Sequence, residues 1–111
     1  MNRRVLVTGA SGLLGAGVAR RLVADGDDVV TLQRRPSGVA GARDVTGSVT
    51  DPGAVAGAMA GRDTLVHVAA RVSVSGPAAQ YEAVNVTGTG TVLEAARACG
   101  VERVVHISSP S

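Results

Sequence analysis

Short runs of apolar, largely β-branched residues alternate along the chain with longer stretches in which apolar residues recur every three or four positions. The short runs lack polar alternation, which predicts strands that are buried on both faces. The longer stretches predict amphipathic helices. We predict strands at 5–8, 29–32, 45–49, 64–68 and 104–107, and helices at 12–24, 51–61 and 78–99.

Capping residues and glycines mark several of these boundaries. Asp51 followed by Pro52 predicts a helix start, because aspartate caps a helix and proline is tolerated in its first turn. Gly26 and Gly100 come directly after helical stretches and predict helix ends. Residues 33–43 are rich in glycine and proline and predict an irregular connection.

This order of elements predicts an α/β fold. Strands that alternate with helices form a parallel sheet through right-handed crossovers, with helices on both faces. We therefore predict a Rossmann-type doubly wound parallel sheet of about five strands. The 111 residues suit one domain over 1–111, and we expect the sheet to be truncated after the fifth strand.

Composition narrows the function classes. Apolar residues make up 45% of the chain, but Tyr81 is the only aromatic residue, so the core must consist of valine, leucine and alanine. The absence of stacking rings argues against a protein that binds single-stranded nucleic acid. All eleven basic residues are arginines that occur singly or in pairs, which argues against a basic nucleic-acid surface.

Two further absences shape the expectations. No apolar run approaches the roughly 18 to 20 residues of a membrane span, so we expect no membrane association and a cytoplasmic location. Cys99 is the only cysteine, which excludes an internal disulfide, and its helical surroundings predict a small core residue.

The segment T-G-A-S-G-L-L-G at 8–15 joins the first strand to the first helix. Gly9 lets the chain turn off the strand, Gly12 lets phosphate oxygens approach the backbone, and Gly15 lets the helix pack closely on the sheet. The helix N-terminus then offers free N–H groups to a pyrophosphate. The segment predicts a dinucleotide site; a purely structural turn and a mononucleotide or flavin site are the alternatives.

The end of the second strand bears on the choice of cofactor. An acidic residue about 20 positions past the glycines would bind the ribose hydroxyls of NAD. This chain has Gln33, Arg34 and Arg35 there. Arginine suits the 2′-phosphate of NADP and can stack on adenine, so we predict NADP, with NAD as the alternative. The competing interpretation is that Arg34 and Arg35 are ordinary surface residues.

Five motifs in sequence order resemble those of the extended short-chain dehydrogenase/reductases. The glycine segment resembles the TGxxGxxG fingerprint of that family. Four further segments resemble its adenine loop, its fourth strand, its long helix and its fifth strand: G-S-V-T-D at 47–51, V-H-V-A-A at 66–70, N-V-T-G-T at 85–89 and V-V-H-I-S-S at 104–109. The resemblance covers essentially the whole chain and is greatest to the NAD(P)-dependent epimerase/dehydratase and 3β-hydroxysteroid dehydrogenase-like branch.

The resemblance implies a set of cofactor contacts. Ser48 stands where the family has an aspartate that accepts a bond from the adenine amine, and a neutral acceptor binds more weakly. The implied residues lie at the pyrophosphate (Gly9, Ser11, Gly12, Leu13, Leu14, Gly15), at the adenine (Ser48, Val49) and at the nicotinamide ribose (Ala69, Ala70).

The resemblance also implies a catalytic role for Ser109, whose hydroxyl would polarise the substrate oxygen. The family's Tyr-x-x-x-Lys pair follows that serine, and this chain contains no lysine. Tyr81 is not followed by lysine, so packing is its expected role. We therefore expect an N-terminal part of a longer NAD(P)-dependent oxidoreductase or epimerase that acts by hydride transfer at a carbinol or carbonyl carbon.

Taken alone, the 111 residues are expected to be inactive, with the sixth strand and the substrate lobe lying beyond them. A non-catalytic NAD(P) sensor or scaffold of the same fold is the alternative. The expected partners are a small-molecule substrate and a second copy that docks through the long helix at 81–99.

Two histidines and one asparagine are further polar residues with candidate roles. His67 and His106 lie in strand patterns, which favours hydrogen-bonded core histidines over a catalytic base, and we predict no metal site. Asn85 has two possible roles: its side chain is either a buried structural group or a group that holds an active-site water.

Overall fold

A computed structural model describes residues 2–10, 12–69 and 78–108 of the chain, without the side chains of residues 69, 78–87 and 108. Strands and helices alternate as the sequence predicts, apart from the irregular connection after the second strand. In chain order the elements are β1 (Arg4–Thr8), α1 (Leu13–Ala24), β2 (Asp28–Gln33), β3 (Arg43–Thr46), α2 (Pro52–Met59), β4 (Thr64–Ala69), α3 (Ala78–Ala98) and β5 (Arg103–Ser108).

The five strands form one parallel sheet in the order β3-β2-β1-β4-β5. β1 is central, with Val5 aligned to Val29 of β2 on one side and to Thr64 of β4 on the other. The chain runs outward from β1 to β3 and then returns to β4, so the direction of winding reverses between β1 and β4. Ligands of such sheets bind outside the carboxyl ends of the strands at this reversal.

Alternate residues of β1 face two separate apolar layers. Val5 and Val7 pack with Ala16 and other residues on the α1 face. Leu6 packs with Met59 and other residues of α2 and α3 on the opposite face. This arrangement confirms the predicted α/β fold with helices on both faces of the sheet.

Local hydrogen bonds explain where the elements begin and end. Asp51 caps α2, since its carboxylate accepts a hydrogen bond of 3.0 Å from the N–H of Gly53, and Pro52 is the first helical residue. The strand predicted at 45–49 lies instead at Arg43–Thr46. The chain leaves the sheet at Gly47, whose N–H donates to the carbonyl of Gln33, and then turns towards α2.

The structure contradicts the prediction that Cys99 is a core residue. The side chain is exposed, because it lies one position beyond the end of α3. Val92 and Ala96 are the buried residues on the final turns of that helix. The apolar spacing that suggested burial therefore stops before Cys99.

A hydrogen-bonded chain ties β1, β4 and α3 together at His67. The hydroxyl of Thr8 lies 2.6 Å from Nδ1 of His67, and the hydroxyl of Thr89 lies 2.9 Å from Nε2. The Thr8 hydroxyl also accepts a bond from the N–H of Val68, and it can donate its own proton to Nδ1 when the ring proton is on Nε2. His67 is the predicted hydrogen-bonded core histidine.

His106 differs from the prediction. It is exposed on β5 and stacks on His67, with ring centroids 5.3 Å apart. β5 is the edge strand of the sheet formed by the described residues, which explains this exposure. Val104 and Val105 of β5 are likewise 45% and 39% exposed, as expected for an uncovered edge.

Mild acid is expected to destabilise the fold through His67. Burial, with a smaller contribution from the charge of His106, lowers the pKa of His67 from 6.5 to about 4. Between these two pKa values, His67 is protonated in the unfolded chain but not in the folded chain. The free energy of unfolding therefore falls as the pH drops from 6.5 to 4. We expect the free energy of unfolding, measured with urea, to decrease by roughly 3 kcal/mol across that interval.

The His67→Asn variant provides the control for this prediction. It should be less stable than the parent at pH 7 but should lose most of the slope between pH 6.5 and 4. Hydrogen bonds lower the carboxyl pKa values of Asp44 and Asp63 from 3.8, so the stability that these groups supply is lost mainly below pH 4 and adds only a shallow slope at the acid end of the interval. An identical slope in the variant would contradict the assignment to His67.

Candidate functional site

The turn between β1 and α1 presents backbone N–H groups at the carboxyl edge of the sheet. Gly9 has a φ of +75°, which only glycine adopts easily, and its N–H donates to the carbonyl of Leu32. Gly12 is the N-cap of α1 and provides no side chain to cap the helix. Gly12, Leu13 and Leu14 are exposed, Leu13 by 96%, so the first turn of α1 opens to solvent.

The three glycines of this turn face different steric limits. A Cβ atom on Gly15 would overlap the carbonyl oxygen of Gly9, and one on Gly9 would lie 2.7 Å from the carbonyl oxygen of Val68. Both positions therefore need glycine for the fold itself. Among the described residues, a Cβ atom on Gly12 would meet only the Gly9 oxygen, at 3.8 Å, which is ordinary contact. The packing of the described residues therefore gives no reason for glycine at position 12.

Gln33 ends β2 at the same edge of the sheet. Its side chain is 5% exposed, and neither the amide nitrogen nor the amide oxygen has a hydrogen-bond partner among the described residues. An unsatisfied buried amide costs about 1–3 kcal/mol. Sequence reasoning noted Gln33 but did not select it as a site residue; its place at the end of β2, where an acid would bind ribose, was the available signal.

Arg34 and Arg35 follow Gln33 and are exposed. They begin the connection 34–42, which is anchored at Asp44 of β3. The Asp44 carboxylate accepts bonds from the hydroxyls of Ser37 and Thr31, both at 2.6 Å, and from the N–H of Ser37 at 3.0 Å. These bonds, that of the Ser37 hydroxyl foremost, keep the pKa of Asp44 below its ordinary value of 3.8.

Ser48 and Val49 lie between β3 and α2. The Ser48 hydroxyl accepts a bond from the N–H of Thr50 and shares a second bond, of 2.7 Å, with the Thr50 hydroxyl. When Ser48 donates in that second bond, its oxygen keeps one lone pair for a further donor. Ser48 can therefore accept one bond from an adenine amine, as the resemblance requires.

Several predicted site residues fall outside the description. Ser11, Ala70 and Ser109 are not among the described residues, and of Ala69 only the backbone, at the end of β4, is described. Tyr81 and Asn85 lie in the part of α3 whose side chains are undescribed. The remaining predicted residues lie in the segments that follow β1, β2 and β3, which end at one edge because the strands are parallel.

The chain is similar to known proteins over almost its whole length. The sequence profile of the NAD dependent epimerase/dehydratase family matches residues 5–111. The 2-alkyl-3-oxoalkanoate reductase of Stenotrophomonas maltophilia is 38% identical over 111 residues, an alignment that covers 97% of this chain and 34% of that protein.

Two solved structures extend the comparison. A short-chain dehydrogenase/reductase superfamily protein from Agrobacterium tumefaciens, with bound NAD, is 38% identical with a TM-score of 0.82. The alignment covers 92% of this chain and 31% of that one. The dTDP-glucose 4,6-dehydratase DesIV from Streptomyces venezuelae, also with NAD bound, is 32% identical with a TM-score of 0.81, covering 96% and 39% of the two chains.

The chain spans about a third of the length of the curated relatives that it matches. Within the part of the chain that the structure describes, none of the helices combines the length and apolarity needed to cross a bilayer. The comparisons agree with the fold and family expected from the five motifs, and the two solved neighbours above contain NAD.

Substitution at Gly15 should separate a packing glycine from a tolerant one. Gly15→Ala places a methyl group against the Gly9 carbonyl, so we expect a loss of about 3 kcal/mol or more in unfolding free energy. Gly17→Ala lies two residues further along α1, where a Cβ meets nothing within 4 Å. This control should gain about 0.5–1 kcal/mol from helix propensity. Equal stabilities in urea denaturation would contradict the close approach.

Proposed function

The chain belongs to the NAD dependent epimerase/dehydratase family, and from this membership we propose that its glycine turn holds the pyrophosphate of a dinucleotide. Gly12 is the observation that supports this proposal most directly. A side chain there would fit the protein, yet it would occupy the open first turn of α1 where phosphate oxygens would approach. A ligand therefore explains a glycine that packing does not.

The other predicted contacts are part of the same proposal. The backbones of Gly9, Ser11, Gly12, Leu13, Leu14 and Gly15 would surround the pyrophosphate. Ser48 would accept the adenine amine beside Val49, while Ala69 and Ala70 would border the nicotinamide ribose.

We propose NADP as the preferred cofactor, with NAD as the alternative. The exposed guanidinium groups of Arg34 and Arg35 favour a 2′-phosphate by charge. The unsatisfied amide of Gln33 carries both a donor and an acceptor, which suits a ribose hydroxyl without the charge repulsion that an acid would impose on a phosphate. NAD is kept as the alternative cofactor because the two solved neighbours contain NAD.

For the whole protein we propose hydride transfer at a carbinol or carbonyl carbon of a small molecule. When bound, the nicotinamide supplies or accepts the hydride. The Ser109 hydroxyl would hydrogen-bond the substrate oxygen and stabilise the charge that develops there. These 111 residues hold no lysine, so the family's Tyr-x-x-x-Lys pair would come from outside them. A whole protein that binds NADPH but turns over no carbonyl or alcohol would favour the sensor alternative.

Assembly and location are further proposals. α3 exposes Leu93 by 42%, and a separate groove of α3 has a lining that includes Ala56, Ala95 and Ala98. Small residues let a second helix approach closely, so we propose that a second copy of the chain docks along α3. The cytoplasmic location stays a prediction from the sequence.

Titration of ¹⁵N-labelled protein with NADPH and NADH tests the dinucleotide site. We expect the amide signals of residues 9–15 to shift with both cofactors, and NADPH to bind more tightly than NADH. Gly12→Ala should lower the unfolding free energy by no more than about 1 kcal/mol, since alanine is a poorer N-cap than glycine. It should weaken binding about tenfold or more, since its methyl group displaces the phosphate.

The Gly17→Ala variant is the control and should bind like the parent. A folded protein whose signals at 9–15 remain unmoved by saturating NADPH and NADH would overturn the proposed site. Tighter binding of NADH would remove only the preference for NADP.

Sedimentation velocity tests the proposed pairing through α3. Leu93→Glu should shift a dimeric protein to monomer, because it replaces an exposed apolar side chain of the proposed α3 interface with a charge. Val104→Glu alters a side chain of matching exposure, 45%, on β5 and should leave the dimer intact. A parent that is monomeric at every concentration, or a dimer that survives Leu93→Glu, would reject the pairing.

A further inference from the structure

Gly88 of α3 lies directly against the segment 47–51 proposed to bind adenine. A Cβ atom on Gly88 would stand 2.5 Å from Cγ2 and 3.3 Å from Cβ of Val49, and 3.9 Å from Cγ2 of Thr50. Both Val49 atoms would be inside normal contact distance, so the valine would have to move. A Cβ atom on Gly90, on the same helix, would meet none of the described residues within 4 Å. The glycine at position 88 therefore sets how closely α3 approaches this segment.

The next residue of α3 connects to the other half of the site. The Thr89 hydroxyl bonds Nε2 of His67, and Nδ1 of His67 bonds the hydroxyl of Thr8. Thr8 immediately precedes Gly9, whose Cα approaches the Val68 carbonyl so closely that a Cβ would lie 2.7 Å from it. The Thr8 hydroxyl also accepts the N–H of Val68, so β1 and β4 are fixed to each other at this level.

From these contacts we propose that Gly88 and Thr89 form a positioning element that sets the spacing between the adenine segment and the glycine turn. The inference rests on the proposed dinucleotide function. Neither residue touches the cofactor in this account: Gly88 acts through Val49, and Thr89 acts through His67 and Thr8. The N-V-T-G-T motif at 85–89 thus acquires a role that the contacts of the cofactor alone do not explain.

Spacing matters because a dinucleotide is a bivalent ligand. Each half binds its own subsite, and the second half binds at an effective concentration that depends on whether the two subsites match the length of the molecule. A displacement of one subsite relative to the other weakens the whole ligand more than either half. Loss of general stability, by contrast, weakens the whole ligand and each half by the same factor, the reciprocal of the folded fraction, and so does not weaken the whole ligand selectively.

The experiment compares NADH with its two halves, AMP and reduced nicotinamide mononucleotide. The dissociation constants of all three are measured by NMR titration on folded protein, and the product of the two half constants is divided by that of NADH. We expect Gly88→Ala and Thr89→Val each to reduce this quotient about tenfold. Gly90→Ala and Thr89→Ser, which keeps the hydroxyl, should retain the parent value.

Each outcome separates the two proposals. If the parent binds none of the three ligands and does not bind NADPH either, the dinucleotide function fails. If the parent binds them and both Gly88→Ala and Thr89→Val keep its quotient, the positioning inference fails while the function stands. If Gly88→Ala does not fold, the two Thr89 variants decide the question. The inference then requires a reduced quotient in Thr89→Val and the parent quotient in Thr89→Ser. A reduced quotient in Gly90→Ala would also overturn the inference, because that site lies in open space.

Discussion

The backbone of α1 touches the turn that precedes it, and this contact at Gly15 and Gly9 governs the geometry of the whole edge. A single methyl group at Gly15 would overlap the Gly9 oxygen, so the start of α1 can only lie where it does if position 15 is glycine. No side-chain hydrogen bond from the N-cap residue satisfies the N–H groups of this first turn. The open turn, the exposed Leu13 and the tolerant Gly12 all follow from the placement of α1.

Small side chains also fill the apolar layers on both faces of the sheet. α1 buries Gly15, Ala16 and Ala19 against β1, and the opposite layer is filled by leucine, valine, alanine and one methionine. Without aromatic rings, the helices lie close to the sheet, and positions such as Gly88 have no room for even one carbon. Among the described residues, His67 is a buried polar group whose two ring nitrogens each have one hydrogen-bond partner.

Patterns confined to a few residues were predictable from sequence, whereas contacts between distant residues were not. The cap at Asp51, the strand runs and the glycine turn depend on neighbours in the chain, and the structure agrees with them. The boundary of β3 was misplaced because hydrogen bonds from Gly47 to β2 override an apolar run. Cys99 is exposed because the helix ends before it, and His106 is exposed because its strand forms the edge of the described sheet. Neither fact is visible in the local sequence. The contact of Gly88 with Val49 joins residues 39 positions apart, and no local pattern reveals it.

The central strand also constrains the order of assembly during synthesis. β1 is made first, but it pairs with β4, whose residues lie 59 positions further along the chain at Thr8 and His67. Closing such a long loop is slow compared with local helix formation. A nascent chain that has emerged only through β3 therefore presents one bare edge of an apolar strand, Val5 to Val7, which is a surface that chaperones can bind.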